Sequence, residues 1–144
     1  MRDIIFRGKR IDNGEWVYGY YARLYGGKKN KVSCRIYTGS AETDCDTWYP
    51  NWFEVVPATI GQYTGLIDKH GRKIFEGDIV EAYNQAECNA ETYKVEFSIP
   101  DCCFGFEPIN CGAIFSINEL LEKELGDEIE FNILGNIHDC AGEN

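Results

Sequence analysis

The stretch Ile60–Tyr83, which reads IGQYTGLIDKHGRKIFEGDIVEAY, decides the fold of this chain. Asp68-Lys69-His70-Gly71 has the composition of a tight turn, because Asp accepts hydrogen bonds from the backbone beyond it and Gly adopts a left-handed conformation. A second turn is expected at Glu76-Gly77-Asp78, where the Asp78 carboxylate satisfies backbone N–H groups. The predicted strands around these two turns are Tyr63–Ile67, Arg72–Phe75 and Ile79–Tyr83.

The residues before this stretch read as further antiparallel β-structure. After a turn at Asp12-Asn13-Gly14, the side chains of Trp16, Tyr18 and Tyr20 are expected on one face of a strand, because side chains alternate along a strand. Trp48–Phe53 is aromatic but contains a proline, which favours an edge segment or an ordered loop. The predicted strands are Asp3–Arg7, Glu15–Leu24 and Val32–Tyr37.

The residues after this stretch predict one strand at Tyr93–Phe97, then one helix and a final strand. Ser116 is a favourable N-cap, and Glu119 follows three residues later, which is the spacing of a capping box. The apolar stripe that follows predicts a helix over residues ~117–125, which Gly126 ends. Alternation of apolar and polar residues predicts the last strand, over Ile129–Ile133.

Length and composition predict one mostly β domain. A chain of 144 residues with 44% hydrophobic residues can build a core of its own. Aromatic residues make up 14% of the chain and favour strands, where flat rings pack across a pleated face. The chain has only four prolines and no low-complexity run, which argues against long disorder. The polar residues Asn84–Glu91 read as a loop between strands.

The charge balance argues against nucleic acid as a partner of the whole chain. There are 14 Lys and Arg against 24 Asp and Glu, a net charge of −10, and phosphate backbones repel such a chain unless its basic residues cluster. Lys28, Lys29 and Lys31 do cluster at a predicted hairpin tip. A solubilising tip and a nucleic-acid contact are both consistent with that cluster, so nucleic-acid binding is kept as an alternative function.

The seven cysteines indicate neither a zinc site nor a complete disulfide framework. Their number is odd, no CxxC pair is present, and the chain has only two histidines. Asp44 and Asp46 offer too few ligands for a calcium or magnesium ion, so no metal or cofactor is expected. No apolar run approaches the ~18 residues of a membrane span. Without an export signal, we expect reduced thiols and a cytoplasmic location in a bacterial host cell.

Cys102 and Cys103 lie in what reads as a loop, and a thiolate there is the one candidate nucleophile. Nucleophilic catalysis would need a base within hydrogen-bond reach, and the histidines available are His70 and His138. Sequence spacing brings neither histidine to the thiols. We therefore predict no catalytic residues, and a small cytosolic cysteine-dependent enzyme remains the alternative function.

A cluster of aromatic residues around Pro50 is the candidate contact patch. Exposed together, these rings would offer a surface for another macromolecule, whereas filling of the core is the alternative interpretation. The residues of the predicted patch are Trp48, Tyr49, Trp52 and Phe53.

Four segments resemble, in their order along the chain, the YopX family of small proteins from bacteriophages and prophages. The segments are IIFRGKRIDNGEWVYG (Ile4–Gly19), IGQYTGLIDKHGRKIFEGDIV (Ile60–Val80), VEF (Val95–Phe97) and ILGNIHD (Ile133–Asp139). The central segment is the most specific, because it retains a long order of glycines and aspartates.

The resemblance implies a single YopX-like domain over residues 1–144. Its N-terminal antiparallel β-extension, a hairpin region, would cover about residues 1–58, and an SH3-like β-barrel core about residues 59–140. No catalytic residue is carried over from the family. The function expected is that of a phage or prophage accessory protein, a non-catalytic binding module for a host or phage macromolecule. Edge strands would also allow a homo-oligomer.

Overall fold

The computed structural model describes residues 2–26, 30–40, 50–85, 88–109, 112–123 and 129–139. The strands of the N-terminal part are β1 (Phe6–Lys9), β2 (Trp16–Gly26), β3 (Lys31–Ser40), β4 (Pro50–Glu54) and β5 (Gly61–Ile67). The later strands are β6 (Lys73–Phe75), β7 (Asp78–Asn84), β8 (Asn89–Ser98), β9 (Cys103–Pro108), β10 (Phe115–Ser116) and β11 (Ile129–Asn136). A 3-10 turn (Pro57–Thr59) precedes β5, and the helix α1 (Ile117–Lys123) lies between β10 and β11.

The strands form two antiparallel sheets, and the described residues contain one short α-helix, α1. The prediction of a mainly β chain with one short helix is therefore confirmed. The first sheet has the order β4-β3-β2-β1-β5-β6, and the second has the order β10-β9-β8-β7-β11. The chain divides into two compact units, Met1–Tyr63 and Thr64–Asn144, and the boundary falls within β5. The predicted single domain with a division near residue 58 stays a prediction.

Neither sheet closes into a barrel among the described residues. A barrel requires the first and last strands of a sheet to pair with each other. In the second sheet those strands are β10 and β11, which lie at opposite edges. The SH3-like barrel predicted for residues 59–140 is therefore not confirmed.

The core of the first unit lies on one face of its strands. Cys34, Ile36 and Val55 are buried there, and half-buried Val17 and Tyr21 of β2 pack against them. Because Val17 and Tyr21 point inward, the alternate residues of β2 point to the opposite face. The predicted grouping of Trp16, Tyr18 and Tyr20 on one face of this strand is thus confirmed.

The central stretch folds as predicted, and its two aspartates hold the turns. Asp68 Oδ1 accepts hydrogen bonds from the backbone N–H groups of His70, at 2.9 Å, and Arg72, at 2.8 Å. Gly71 closes the turn with a left-handed φ of +79°. Asp78 Oδ2 accepts the Phe75 N–H at 2.8 Å in the next turn. Both carboxylates are buried, and both organise backbone.

The capping box predicted at the start of α1 is present. The Ser116 N–H donates to Glu119 Oε2 at 2.7 Å, and the Glu119 N–H donates to Ser116 Oγ at 3.2 Å. Leu120 is buried in the core of the second unit, where the rings of Phe106 and Phe131 stack with centroids 5.1 Å apart. The structure describes α1 to Lys123, and the predicted end of the helix lies outside the described residues.

Two predicted loops are corrected. β7 and β8 pair as far as Asn84 with Asn89, so strand structure extends into the predicted loop Asn84–Glu91. Cys103 begins strand β9 and pairs with Ser98. The sequence predicts a loop here because Gly105 interrupts the strand pattern, and a glycine weakens a strand. Close packing accounts for a glycine at this position, because a Cβ on Gly105 would lie 2.3 Å from Ile114 Cγ2.

Candidate functional site

The side of β1–β4 that points away from the first core presents aromatic and cationic side chains together. Strand register places Tyr20 opposite Tyr37 and Tyr37 opposite Trp52, so three rings form a row across three strands. We call this surface the aromatic–cation face. The residues that define it are Trp16, Tyr18, Tyr20, Arg35, Tyr37 and Trp52.

Three rings of this face are exposed to solvent, whereas Trp16 and Tyr37 are half-buried. Tyr20 is 68% exposed, Tyr18 is 50% exposed and Trp52 is 44% exposed. Single exposed apolar residues are common on proteins, whereas grouped ones mark surfaces for a partner. Tyr18 and Tyr20 lie on β2 and Trp52 lies on β4. Half-buried Tyr37 of β3, the strand between them, joins these rings across one face, so they form a group.

Cations lie over the rings of this face. The guanidinium carbon of Arg35 is 3.7 Å from the centroid of the Trp52 ring, and Arg35 Nε donates to Ser33 Oγ at 3.1 Å. On β1, the guanidinium carbon of Arg7 lies 4.5 Å, and Lys9 Nζ 5.3 Å, from the Trp16 ring centroid. A cation over an aromatic ring is attracted by the electron-rich ring face. Arg35 therefore holds positive charge beside an exposed ring, whereas Trp16 is half-buried and Arg7 is buried.

An open groove of about 500 Å³ continues the face along β2 and β3. Arg35 lines both the groove and the row of rings, and exposed Lys31 adds a second cation. Glu54, which pairs with Arg35 in register, contributes an acidic group to the same lining. Apolar lining comes from Leu24 and Tyr25. The groove therefore extends a mixed apolar and cationic surface beyond the rings.

Gly19 allows the row of rings to form. A Cβ built on this residue would lie 2.0 Å from the carbonyl oxygen of Tyr37, which no real side chain tolerates. Its φ of +158° is also rare for residues with a side chain. Glycine therefore lets β2 approach β3 beside the Tyr20–Tyr37 pair.

The two residues of the predicted contact patch that the structure describes, Trp52 and Phe53, lie on opposite faces of the sheet. Trp52 belongs to the aromatic–cation face, whereas Phe53 pairs with buried Ile36 and points to the core side of the sheet. The guanidinium carbon of Arg10 lies 4.1 Å from the Phe53 ring centroid. Trp48 and Tyr49 lie outside the described residues, and the four-residue patch stays a prediction.

Tyr37 and Arg35 are functional candidates that the sequence reasoning missed. Both lie on the predicted strand Val32–Tyr37, and their alternation with Ile36 and Cys34 could have placed them on the outward face. The sequence does not tell which residues of neighbouring strands lie opposite them, so the row of three rings required the register.

The thiols of the cysteine hypothesis are not joined to a histidine within the described residues. The Cys102 thiol is exposed and donates to the Ile99 carbonyl at 3.4 Å, and Cys103 is half-buried in β9. Cys34 is buried, with its Sγ 3.6 Å from the Tyr21 hydroxyl. Burial, followed by the contact with Cys34, raises the pKa of Tyr21.

No group of three or more potential metal ligands occurs in the described part of the chain. Cys45, Cys111 and Cys140 lie outside it, as do Asp44 and Asp46. No helix in the described residues has the length and apolar character that crossing a membrane requires.

The outward face of the second sheet has a different chemistry. Lys94 Nζ lies 2.5 Å from Glu96 Oε1 and 3.1 Å from Glu107 Oε2. Hydrogen bonds to Glu96 and Glu107 raise the pKa of Lys94, so the ammonium stays charged. This cation is surrounded by carboxylates instead of lying over a ring.

The net charge of the chain is unevenly divided between the two units. Met1–Tyr63 has nine Lys and Arg against seven Asp and Glu, whereas Thr64–Asn144 has five against seventeen. The first unit is therefore slightly basic, and the second unit holds all of the acidic excess. The aromatic–cation face lies on the basic unit.

Comparisons with known proteins identify relatives by sequence and by fold. Residues 5–141 match the family described as YopX protein. A crystal structure of protein EF1440 from Enterococcus faecalis is similar, with a TM-score of 0.56 at 21% sequence identity, and the match covers 99% of this chain and 98% of that one. At this identity the likeness shows the fold alone. No curated protein matches the chain significantly.

Proposed function

Since this chain belongs to the YopX family, as the match over nearly its whole length shows, we propose that it is a phage or prophage accessory protein. It acts in the cytoplasm of the bacterial host as a non-catalytic binding module for a host or phage macromolecule. The binding surface is the aromatic–cation face of the first unit.

One observation supports this proposal above the others: the row Tyr20–Tyr37–Trp52, with Arg35 over the last ring, on a slightly basic unit of an acidic chain. Exposed rings beside fixed cations suit recognition, because they combine a large apolar contact area with charge. Aromatic residues and Arg are also the residues enriched in binding interfaces. A catalytic role has no comparable support among the described residues, where neither Cys102 nor Cys103 has a histidine partner.

Affinity capture with matched variants tests the proposal. The tagged chain is expressed in phage-infected or lysogenic bacteria, and the bound protein and nucleic acid are both identified and quantified. The face variant is the double substitution Tyr20→Ser and Trp52→Ser. The control is Phe97→Ser, because Phe97 is 44% exposed, as Trp52 is, but lies in the second unit.

We expect one macromolecule to be recovered in stoichiometric amount with the wild type and with Phe97→Ser, and to be lost with the face variant. Circular dichroism of each purified protein verifies that the substitutions leave the fold intact. Recovery of the same macromolecule in equal amounts with all three proteins would show that the face does not bind it. Recovery of none with the wild type would contradict the binding-module function itself.

A further inference from the structure

We propose that the aromatic–cation face binds single-stranded nucleic acid. This inference rests on the proposed function and names the class of macromolecule that the module binds. It departs from the expectation drawn from the net charge of −10, because the excess of acidic residues lies in the second unit.

The rings of the face suit the stacking of unpaired bases. Bases of a single strand stack on exposed aromatic side chains, and such stacking tolerates any sequence because every base has a π-face. Tyr20, Tyr37 and Trp52 follow one another across adjacent strands, which lie about 4.7–4.9 Å apart in a sheet. Tyr18 adds a half-exposed ring on the same face. Successive bases of one strand can therefore stack across the sheet.

The cations beside the rings suit the phosphates of a single strand. Single-stranded binding sites combine stacking rings with a positively charged groove that follows the phosphates. Arg35 stands at the junction of the ring row and the 500 Å³ groove, and Lys31 lies farther along the same groove. Lys9, over the Trp16 ring, lies on β1 on the other side of β2. Phosphates on either side of the stacked bases thus meet positive charge.

The chemistry favours an unpaired strand over a duplex or an acidic peptide. In a duplex the base faces are stacked on one another, so exposed rings would have no partner. An acidic peptide would use Arg35 and Lys31 but would leave the exposed rings of Tyr20 and Trp52 without planar groups to stack on. A single strand uses both the rings and the cations.

Fluorescence anisotropy with labelled 20-nucleotide oligomers tests the inference. The probes are oligo(dT), oligo(rU) and a DNA duplex of the same length, each at about 20 mM and 200 mM salt. We expect the wild type to bind both single strands more tightly than the duplex. A difference between the two single strands then tells whether DNA or RNA is preferred.

Variants of the face should weaken binding in two distinguishable ways. Tyr20→Ser and Trp52→Ser each remove one ring, with an expected loss of about 5- to 150-fold in affinity. Arg35→Gln and Lys31→Gln should each reduce the slope of log affinity against log salt by about 0.7. Phe97→Ser and Lys94→Gln are the matched controls in the second unit, and both should bind as the wild type does.

Three results would overturn the inference: no binding of either single strand at low salt, equal losses in the control variants, or tighter binding of the duplex. If these assays fail while affinity capture still recovers a protein that the face variant loses, the binding-module function stands and its partner is a protein. If capture also recovers nothing, the proposed function fails as well.

Discussion

The outward faces of the two sheets use their charged residues in opposite ways. In the first unit, cations lie over exposed rings, as Arg35 does over Trp52 at 3.7 Å. In the second unit, the charged ammonium of Lys94 forms ion pairs with Glu96 and Glu107, at 2.5 and 3.1 Å. In the first arrangement, a partner can contact both the positive charge and the apolar ring beside it. In the second, the cation is already paired with carboxylates of the protein itself.

For binding, the net charge of each unit is therefore more informative than the net charge of the whole chain. The chain as a whole carries −10, yet the basic residues of Met1–Tyr63 outnumber its acidic ones. Interactions between exposed charges fade over about 8 Å at physiological salt, so a partner responds to the face that it contacts. The acidic residues of the second unit have roles of their own, in which two buried carboxylates organise turns.

Replacement of a buried carboxylate of the second unit should have the largest effect on folding. Asp68→Ala removes the acceptor for the N–H groups of His70 and Arg72 and for Arg72 Nε, which donates to Asp68 Oδ2 at 2.8 Å. Loss of these hydrogen bonds to a buried, charged acceptor lowers the free energy of unfolding by about 3 kcal/mol. Urea denaturation followed by circular dichroism measures the loss. Asp12→Asn, in an exposed turn, is the control, and equal effects of the two substitutions would contradict the role given to Asp68.

Acid should remove the same stabilisation. Burial alone would raise the pKa of the Asp68 carboxyl, but hydrogen bonds from the Arg72 backbone and side chain, His70 and Ile133 outweigh it and lower that pKa. Because the pKa is lower in the folded state, the stabilisation is complete above about pH 4 and is lost as the pH falls through the folded value. The stability difference between the wild type and Asp68→Asn should therefore shrink below pH 4. Urea midpoints measured from pH 7 to 2.5 provide the check, and a constant difference would refute the linkage.

A side chain at Gly19, where β2 closely approaches β3 in the first unit, should have the next largest effect on stability. Gly19→Ala places a Cβ 2.0 Å from the Tyr37 carbonyl oxygen, so the strands must separate beside the ring row. Such overpacking costs about 2 kcal/mol of unfolding free energy and should also weaken binding at the face. Thermal unfolding and the anisotropy assay measure the two effects. Gly26→Ala is the control, because a Cβ there meets nothing within 4 Å, and similar losses from both substitutions would disprove the account.

The features that the sequence predicted are those determined within a few neighbouring residues. Asp68 and Gly71 set a turn through hydrogen bonds four residues apart or fewer, and Ser116 with Glu119 caps a helix over three. Turn and cap chemistry depends on local backbone geometry, and those predictions are confirmed. The hairpin of β5 and β6 follows from the same local turn.

The features that the sequence did not predict depend on contacts between distant strands. Whether β10 and β11 pair decides between a barrel and an open sheet, and no local pattern determines that pairing. Likewise, the row that joins Tyr20 to Tyr37 and Trp52 requires the register of three strands. The sequence places the contact patch around Pro50 because aromatic residues are adjacent there, whereas the rings of the aromatic–cation face come together from separate strands.

Loss of the helix cap should have a moderate effect within the second unit. Ser116→Ala removes the hydroxyl that accepts the Glu119 N–H, at an expected cost of about 1 kcal/mol. A shift of the urea midpoint with an unchanged slope measures it. Asn118→Ala, at an exposed position of the same helix, should not destabilise the protein. If binding at the aromatic–cation face also fell with Ser116→Ala, the assignment of binding to the first unit would be undermined.

Replacement of one surface cation on each face should have the smallest effects on stability, and it should show most clearly how the two faces differ in binding. Lys94→Gln loses ion pairs on the protein surface, which are worth about 0.5 kcal/mol. Arg35→Gln loses a contact with a half-exposed ring, also worth about 0.5–1 kcal/mol. The two substitutions remove the same charge at similar cost to stability, yet only Arg35→Gln should weaken binding at the face and its dependence on salt. Anisotropy titrations of both variants, with urea denaturation alongside, provide the measurement, and equal binding by the two variants would mean that the cations of the two faces do not differ in function.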